Sequence, residues 1–380
     1  MICAHYTASR CRSCTELELP YASQLAAKQQ HCRTLLAGHH GLDWLAPVES
    51  AESGFRNKAK MVVSGSAEAP LLGIRDARGR GVDLGDCPLY PPTLQACFPA
   101  IRAFISRAAL PPYDLDSRRG ELKFVLLTAA PDGALMLRLV LRSEASVARI
   151  RKHLPSLLQA LPQLRVVSAN LQPEHKAVIE GEREILLGEG SRLSIEVNDI
   201  RLQLRPQSFF QTNTAVAAAL YGQARQWIEE LRPARVWDLY CGVGGFALHA
   251  AAAGRTVTGI ELEAEAIASA EQSLAALAAS GRAFGEVRFA SGDATDWALA
   301  QPAAAELVIV NPPRRGIGDR LSQYLETARD ARWLIYSSCN AESLARDLAR
   351  MPSYRPRRAR LLDMFPQTRH YELIVLLERT

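Results

Sequence analysis

Apolar residues follow two different spacings along the chain, and the change falls near residue 200. Up to about Tyr90, short apolar runs between turn residues predict small strands, with Phe55–Val63 followed by Leu71–Ile74 as its return and a turn at Asp76–Gly81. A mixed stretch comes next, with a helix over Leu94–Ala109, a strand over Leu122–Thr128, a turn at Asp132-Gly133 and a strand over Leu135–Arg142. A helix near Val147–Leu161 and a strand at Val166–Leu171 complete it. After Pro206, Ala-rich helices such as Thr214–Leu231 alternate with apolar strands at Val236–Leu239, Val257–Ile260, Val287–Phe289, Leu307–Val310, Trp333–Tyr336 and Leu373–Leu377. That alternation predicts an α/β fold whose C-terminal part, residues 201–380, is a doubly wound, Rossmann-like parallel sheet. A small α+β domain is expected over 95–200 and a cysteine-bearing β region over 1–94. No internal repeat is present.

With 48% hydrophobic and 22% charged residues, the composition excludes disorder. The net charge of +5 permits a nucleic-acid partner without arguing for one. No apolar run reaches the length of a membrane span, and the opening Met1–His5 lacks the build of a secretory signal, so a cytoplasmic protein without a membrane partner is expected. In that compartment the eight cysteines are thiols, and a cluster of them suggests a metal site or catalysis.

The segment Asp238–Phe246 runs from a strand through glycines into a helix, and Glu261 ends the next strand about twenty residues on. Glycines at 242 and 244 let backbone approach a ligand, and a carboxylate at that distance suits the hydroxyls of a ribose. The spacing is not that of a dinucleotide fingerprint, and with Asp293 beyond it the pattern points to S-adenosylmethionine. The alternative is a glycine cluster that only shapes a turn. Asn311-Pro312-Pro313-Arg314 follows a strand at the ligand-binding edge. Arg314 stands where amino-group methyltransferases carry an aromatic residue, which argues against methylation of an exocyclic nitrogen.

Cys339 ends another apolar strand ahead of a helix, where a thiolate nucleophile is favoured, although a small core cysteine would look the same. Glu372 opens the last strand, either as a general base facing that edge or as a surface residue. Cys3, Cys11 and Cys14, with Cys87 far downstream, have a spacing that suits an iron–sulfur cluster or a zinc site equally. Cys32 and Cys97 look like structural thiols.

In combination, Phe55–Lys58, Arg205–Asn213, Asp238–Phe246, Asn311–Arg314, Ser337–Asn340 and His370–Glu372 resemble the RNA 5-methyluridine methyltransferase family, over essentially the whole chain. The resemblance implies methyl transfer from S-adenosylmethionine to carbon 5 of a uracil in RNA, with Cys339 as nucleophile and Glu372 as base. It implies cofactor contacts from Gln211, Tyr240, Glu261 and Asn311, of which Gln211 and Asn311 could instead touch the uracil, and a further contact from Asp293. Some members carry Asn where this chain has Gly245. The four N-terminal cysteines are similar to the [4Fe–4S] ligands of the ribosomal-RNA branch. With no domain ahead of Cys3, the short form is similar to the branch acting on uracil 747 of bacterial 23S rRNA. A monomer acting on that RNA and not on DNA is expected, because cytosine-5 DNA methyltransferases place their cysteine after a proline in an earlier loop. Phosphate contacts are expected from Arg56, Lys58 and Lys60, with Arg355, Arg357, Arg358 and Arg360 as a second group, the alternative being that both sets are solvated strand faces. The competing expectation is an iron–sulfur RNA-binding or ribosome-assembly protein with an inactive methyltransferase fold.

Overall fold

The computed structural model describes residues 1–176 and 178–380. Two compact units result, one of Met1–Cys14, Glu52–Ile195 and Arg205–Gln207, the other of Thr15–Ala51, Glu196–Leu204 and Ser208–Thr380.

The first unit is built on a seven-stranded sheet in the order Gly81–Asp83, Pro70–Arg75, Lys58–Gly65, Leu122–Ala129, Leu135–Leu141, Leu164–Leu171, Arg183–Leu186. Neighbours are antiparallel except Leu135–Leu141 with Leu164–Leu171, which the helix Val147–Ala160 joins as a crossover. Alternate residues of these strands (Met61, Val63, Val125, Leu127, Leu137, Leu139) pack with Phe98, Ile101, Ile105, Ile150 and Leu157 of two helices. Strands from both sides of residue 94 share this sheet, so the division expected there falls inside one packed core.

The second unit carries an eight-stranded sheet in the order Asp43–Trp44, Tyr354–Leu362, Glu372–Arg379, Trp333–Ser338, Leu307–Val310, Arg235–Leu239, Thr256–Glu261, Val287–Ser291. The last five in that list are parallel. Glu372–Arg379 inserts antiparallel between Trp333–Ser338 and Tyr354–Leu362, a departure from the purely parallel expectation. Leu307–Val310 is wholly buried, and its unbroken apolar run is what a central parallel strand covered on both faces requires. The strand order reverses beside Arg235–Leu239, which pairs with both Thr256–Glu261 and Leu307–Val310. The crevice beyond their carboxyl ends is where such sheets bind ligands.

One element runs against the sequence expectation. Residues 21–35 form a 15-residue helix, Tyr21–Leu35, instead of strands and turns. Its buried side includes Gln24 and Lys28, so the apolar period that would announce it is broken. Tyr354–Leu362 is a strand whose Tyr354, Ala359 and Leu361 turn inward while arginines alternate with them. Among the described residues, no helix is long and apolar enough to cross a membrane.

Candidate active site

The glycine loop leaves the strand Arg235–Leu239 at the reversal point and enters the helix Gly245–Ala250. Tyr240, Gly242 and Gly244 have φ of 68°, 54° and 84°, so the turn is left-handed three times within five residues. A side chain at 244 would also meet Phe289 at 2.9 Å. Asp238, fully buried beneath the loop, accepts a hydrogen bond at 2.8 Å from the backbone N–H of Ala247. Burial pushes its carboxyl up to about 8. Its other oxygen, Oδ1, is buried without a hydrogen-bond partner among the described residues.

Glu261 reaches the same loop, accepting from the N–H of Gly242 at 3.1 Å and from Leu262 and Glu263 at 2.8 and 3.2 Å. Asp293 caps the helix Ala294–Leu299 by accepting from Thr295 and Asp296 at 2.9 and 3.0 Å, so it has a structural task besides any ligand contact. Electrostatic coupling and a hydrogen bond to Thr295 bring Tyr240 beside Asp293. Gln211 is buried at the lead-in to the helix Thr214–Leu231. Gly245 has a packing reason of its own, because any Cβ there would stand 2.5 Å from the ring of Tyr221. That ring is already wedged edge-on to Phe246 and stacked on His249.

Cys339 follows directly on the strand Trp333–Ser338 at the same carboxyl edge. The next residue, Asn340, caps the helix Ala341–Ala349 through Glu342 N–H at 3.1 Å and donates to the carbonyl of Arg314 at 3.2 Å. The Cys339 thiol is pushed up first by burial and then by the Glu372 carboxylate, while Arg314, in hydrogen-bonding contact, favours the thiolate. Arg314 also lies 3.4 Å from Nδ1 of His370. Beyond Arg314, buried Asp347 pins the end of the Pro-Pro loop, accepting from Ile317 N–H at 2.9 Å and from the Tyr336 hydroxyl at 2.7 Å.

Glu372 is only 2% exposed, against the expectation open to a strand-opening glutamate at the surface. The hydroxyl of Ser337, on the neighbouring strand, donates to its Oε1 at 2.7 Å. Burial raises the Glu372 carboxyl to about 7, and the Ser337 hydrogen bond opposes that rise. A base that titrates near neutrality therefore stands beside a thiol and a cation, a set able to perform nucleophilic addition followed by proton removal. Ser337 and Asp347 were not singled out in the sequence. A polar pair, Ser337-Ser338, closing an otherwise apolar strand was the available signal for the first.

In the first unit, Cys3, Cys11, Cys14 and Cys87 come together closely enough to influence one another. Burial raises Cys14 to about 12 and Cys87 to about 11, and in both the neighbouring thiols push the same way. Among the described residues no group of three or more His, Cys, Asp or Glu is placed to hold a metal ion. The donor chemistry thus suits a thiolate-held cluster, while the thiols as they stand do not close on one. Cys32 and Cys97 are fully buried, as structural thiols should be.

The basic residues expected to meet RNA phosphates are largely engaged within the protein. Burial and Lys60 lower Lys58 to about 8, and Lys60 lies 4.0 Å from Glu180. Arg357 pairs with Glu378 at 2.8 Å, Arg358 with Glu230 at 2.5 Å, and Arg360 bonds Gln223 Oε1 at 2.8 Å.

The fold and its edge loops define a methyltransferase. The structure superposes on the Pyrococcus abyssi tRNA (uracil-54, C5)-methyltransferase in complex with S-adenosyl-L-homocysteine with a TM-score of 0.79, covering 96% of this chain and 85% of that one at 23% identity. A family model described as tRNA (uracil-5-)-methyltransferase matches residues 182–380. The 23S rRNA (uracil(747)-C(5))-methyltransferase RlmC of Yersinia pestis (strain Pestoides F) is 53% identical over 378 residues, 99% of each chain. Its Yersinia pseudotuberculosis serotype I (strain IP32953) counterpart is equally similar. The chain belongs to the uracil-5-methyltransferase family.

Proposed function

We propose that this chain transfers the methyl group of S-adenosylmethionine to carbon 5 of a uridine in 23S rRNA, the one that its Yersinia relatives' names number 747. Identity of 53% along 99% of both chains carries this reading. The convergence of Cys339, Arg314 and Glu372 on one sheet edge supports the chemistry. The chain offers the cofactor a left-handed glycine loop and the Glu261 carboxylate, a set that fits a ribose. Gln211, Tyr240, Asn311 and Asp293 complete the proposed contacts. The cofactor supplies an electrophilic sulfonium methyl.

Cys339, whose thiolate Arg314 favours against the opposing effects of burial and Glu372, adds sulfur to carbon 6 of the ring, and the displaced electron pair makes carbon 5 nucleophilic. Once carbon 5 has taken the methyl group, Glu372 removes the proton left there. The carbon 5–carbon 6 double bond re-forms, the carbon–sulfur bond breaks, and its pair returns to Cys339 as thiolate. The uracil must be unstacked to reach Cys339, which favours a loop or a flipped base. The test is labelled-methyl transfer onto unmodified 23S rRNA, with DNA of the same sequence as control, followed by mapping of 5-methyluridine. Label on DNA, or on no uridine, would overturn the assignment.

We also propose that Cys3, Cys11, Cys14 and Cys87 hold a [4Fe–4S] cluster. Burial first, and then the neighbouring cysteines, disfavour the thiolate forms of Cys14 and Cys87, and bound iron would stabilise those thiolates. Anaerobically purified protein should carry about four irons per chain and absorb broadly near 400 nm. Zinc at about one per chain in colourless, active protein would replace iron in this reading.

A further inference from the structure

The second unit buries a cation that methyl transfer does not use. Lys28, 5% exposed in the helix Tyr21–Leu35, donates to Asp363 Oδ1 at 2.6 Å and to the Phe365 carbonyl at 3.2 Å. One turn earlier, Gln24 accepts from the backbone N–H of Gln367 and donates to its Oε1, both at 2.9 Å. One turn later, Cys32 is in hydrogen-bonding contact with Tyr371. Positions 24, 28 and 32 form one stripe along a helix. Read along the helix, that stripe meets Gln367, then Asp363 and Phe365, then Tyr371, and the residue after Tyr371 is Glu372.

The gripped segment could not hold its shape unaided. Gln367 is wholly buried with φ of 68°, a left-handed conformation that is strained in a residue with a side chain and persists only where its surroundings impose it. Gln24 meets its backbone donor and its side chain together. Asp363 is fully buried, with Lys28 on its Oδ1 and Tyr21 beside it, while its Oδ2 has no hydrogen-bond partner among the described residues. Apolar packing alone would let such a segment slide, whereas these bonds are directional.

We propose that the helix Tyr21–Leu35 is a splint that fixes where Glu372 stands, with Gln24 and Lys28 as positioning residues for the proton-removal step. This rests on the reading of Glu372 as the base. Displacing a catalytic group by about 1 Å costs about 10²-fold in rate. Loosening the splint should therefore slow release of the methylated RNA while leaving addition of Cys339 and cofactor binding in place.

Single-turnover reactions on unmodified 23S rRNA test this, scoring the amount and decay of a denaturation-resistant enzyme–RNA adduct across pH. The variants are Lys28→Met, Lys28→Arg, the double variant Lys28→Met/Asp363→Leu, which leaves no unpaired buried charge, and Glu372→Gln. Lys28→Met and the double variant should bind S-adenosylmethionine within about twofold of wild type, form the adduct, and release it at least about tenfold more slowly. Lys28→Arg should recover part of that loss. If the double variant releases RNA at the wild-type rate while Glu372→Gln traps the adduct, the splint is wrong and the base stands. If Glu372→Gln itself releases freely, base and splint fall together. Parallel loss of cofactor binding and release in the folded double variant would reduce the helix to packing and overturn the proposal. Gln24→Leu, which removes no charge, gives the same decision if the Lys28 variants fail to fold.

Discussion

Replacing Glu372 by Gln should stabilise the folded protein above neutral pH, in the same variant expected to trap the RNA adduct. Burial lifts the carboxyl from its ordinary 4.5 to about 7. At about 1.4 kcal/mol per pH unit, that corresponds to roughly 3 kcal/mol. The sign follows from proton counts. Between 4.5 and 7 the folded state holds a proton that the unfolded chain has released, so stability falls as pH rises through that window. Below it the neutral acid and the neutral amide are equivalent, and above it only the wild type buries a charge. Gln can keep the partnership with Ser337, because its amide offers both an acceptor and a donor. Urea titrations of wild type and Glu372→Gln, followed by tryptophan fluorescence from buried Trp227 and Trp237, should therefore coincide near pH 4.5 and diverge to about 3 kcal/mol by pH 8. Asp238 also titrates high, but it is common to both proteins and cancels in the difference. A constant difference across pH would mean that Glu372 is already ionised in the folded protein, and the assignment of a base poised near neutrality would be lost with it.

Cys339→Ala should abolish turnover while S-adenosylmethionine affinity, measured by calorimetry, stays within a few-fold; equal loss of both would make Cys339 a packing residue. Gly245→Asn should cost about 1–3 kcal/mol of stability, since its Cβ would displace the Tyr221 ring from between Phe246 and His249. The same substitution with Tyr221→Ala should cost less than the sum of the two changes, and simple additivity would count against the clash. Lys60→Glu should weaken RNA binding and lower its salt dependence by at most about one phosphate contact, because Glu180 already lies beside that ammonium; a slope change well above one would show the pair to be dispensable.

The sheet strands of the second unit were legible because each is short, apolar and flanked by a helix, and the glycine loop and Pro-Pro loop sit at strand ends where the topology uses them. Cys339 and Glu372 were legible as a nucleophile and a base at one sheet edge, but the strand pairing that joins them was not. It depends on Glu372–Arg379 inserting antiparallel beside Trp333–Ser338, a register that local pattern does not encode. The helix Tyr21–Leu35 escaped because its inward face carries Gln24 and Lys28, polar residues made acceptable by Gln367 and Asp363 far along the chain. Charge patterning likewise could not tell that Lys58 lies beside Arg138, which Glu184 holds by 2.8 and 2.9 Å hydrogen bonds. In each case the missing information was a partner distant in sequence.

The grip of an early helix on a late segment also sets a schedule for the protein's synthesis. Lys28 and Asp363 are 335 residues apart, and chains grow at about 5–20 residues per second, so Lys28 waits on the order of tens of seconds for its counterion. During that interval the ammonium must remain in water, since burying it alone would be costly. The helix therefore cannot dock before Asp363 is made, a constraint that the strands Arg235–Leu239 and Thr256–Glu261 do not share. A nascent chain can thus build its cofactor loop, which ends well before residue 300, long before the segment ahead of Glu372 is fastened. The competence to bind cofactor comes first in time, and the competence to finish the reaction comes last.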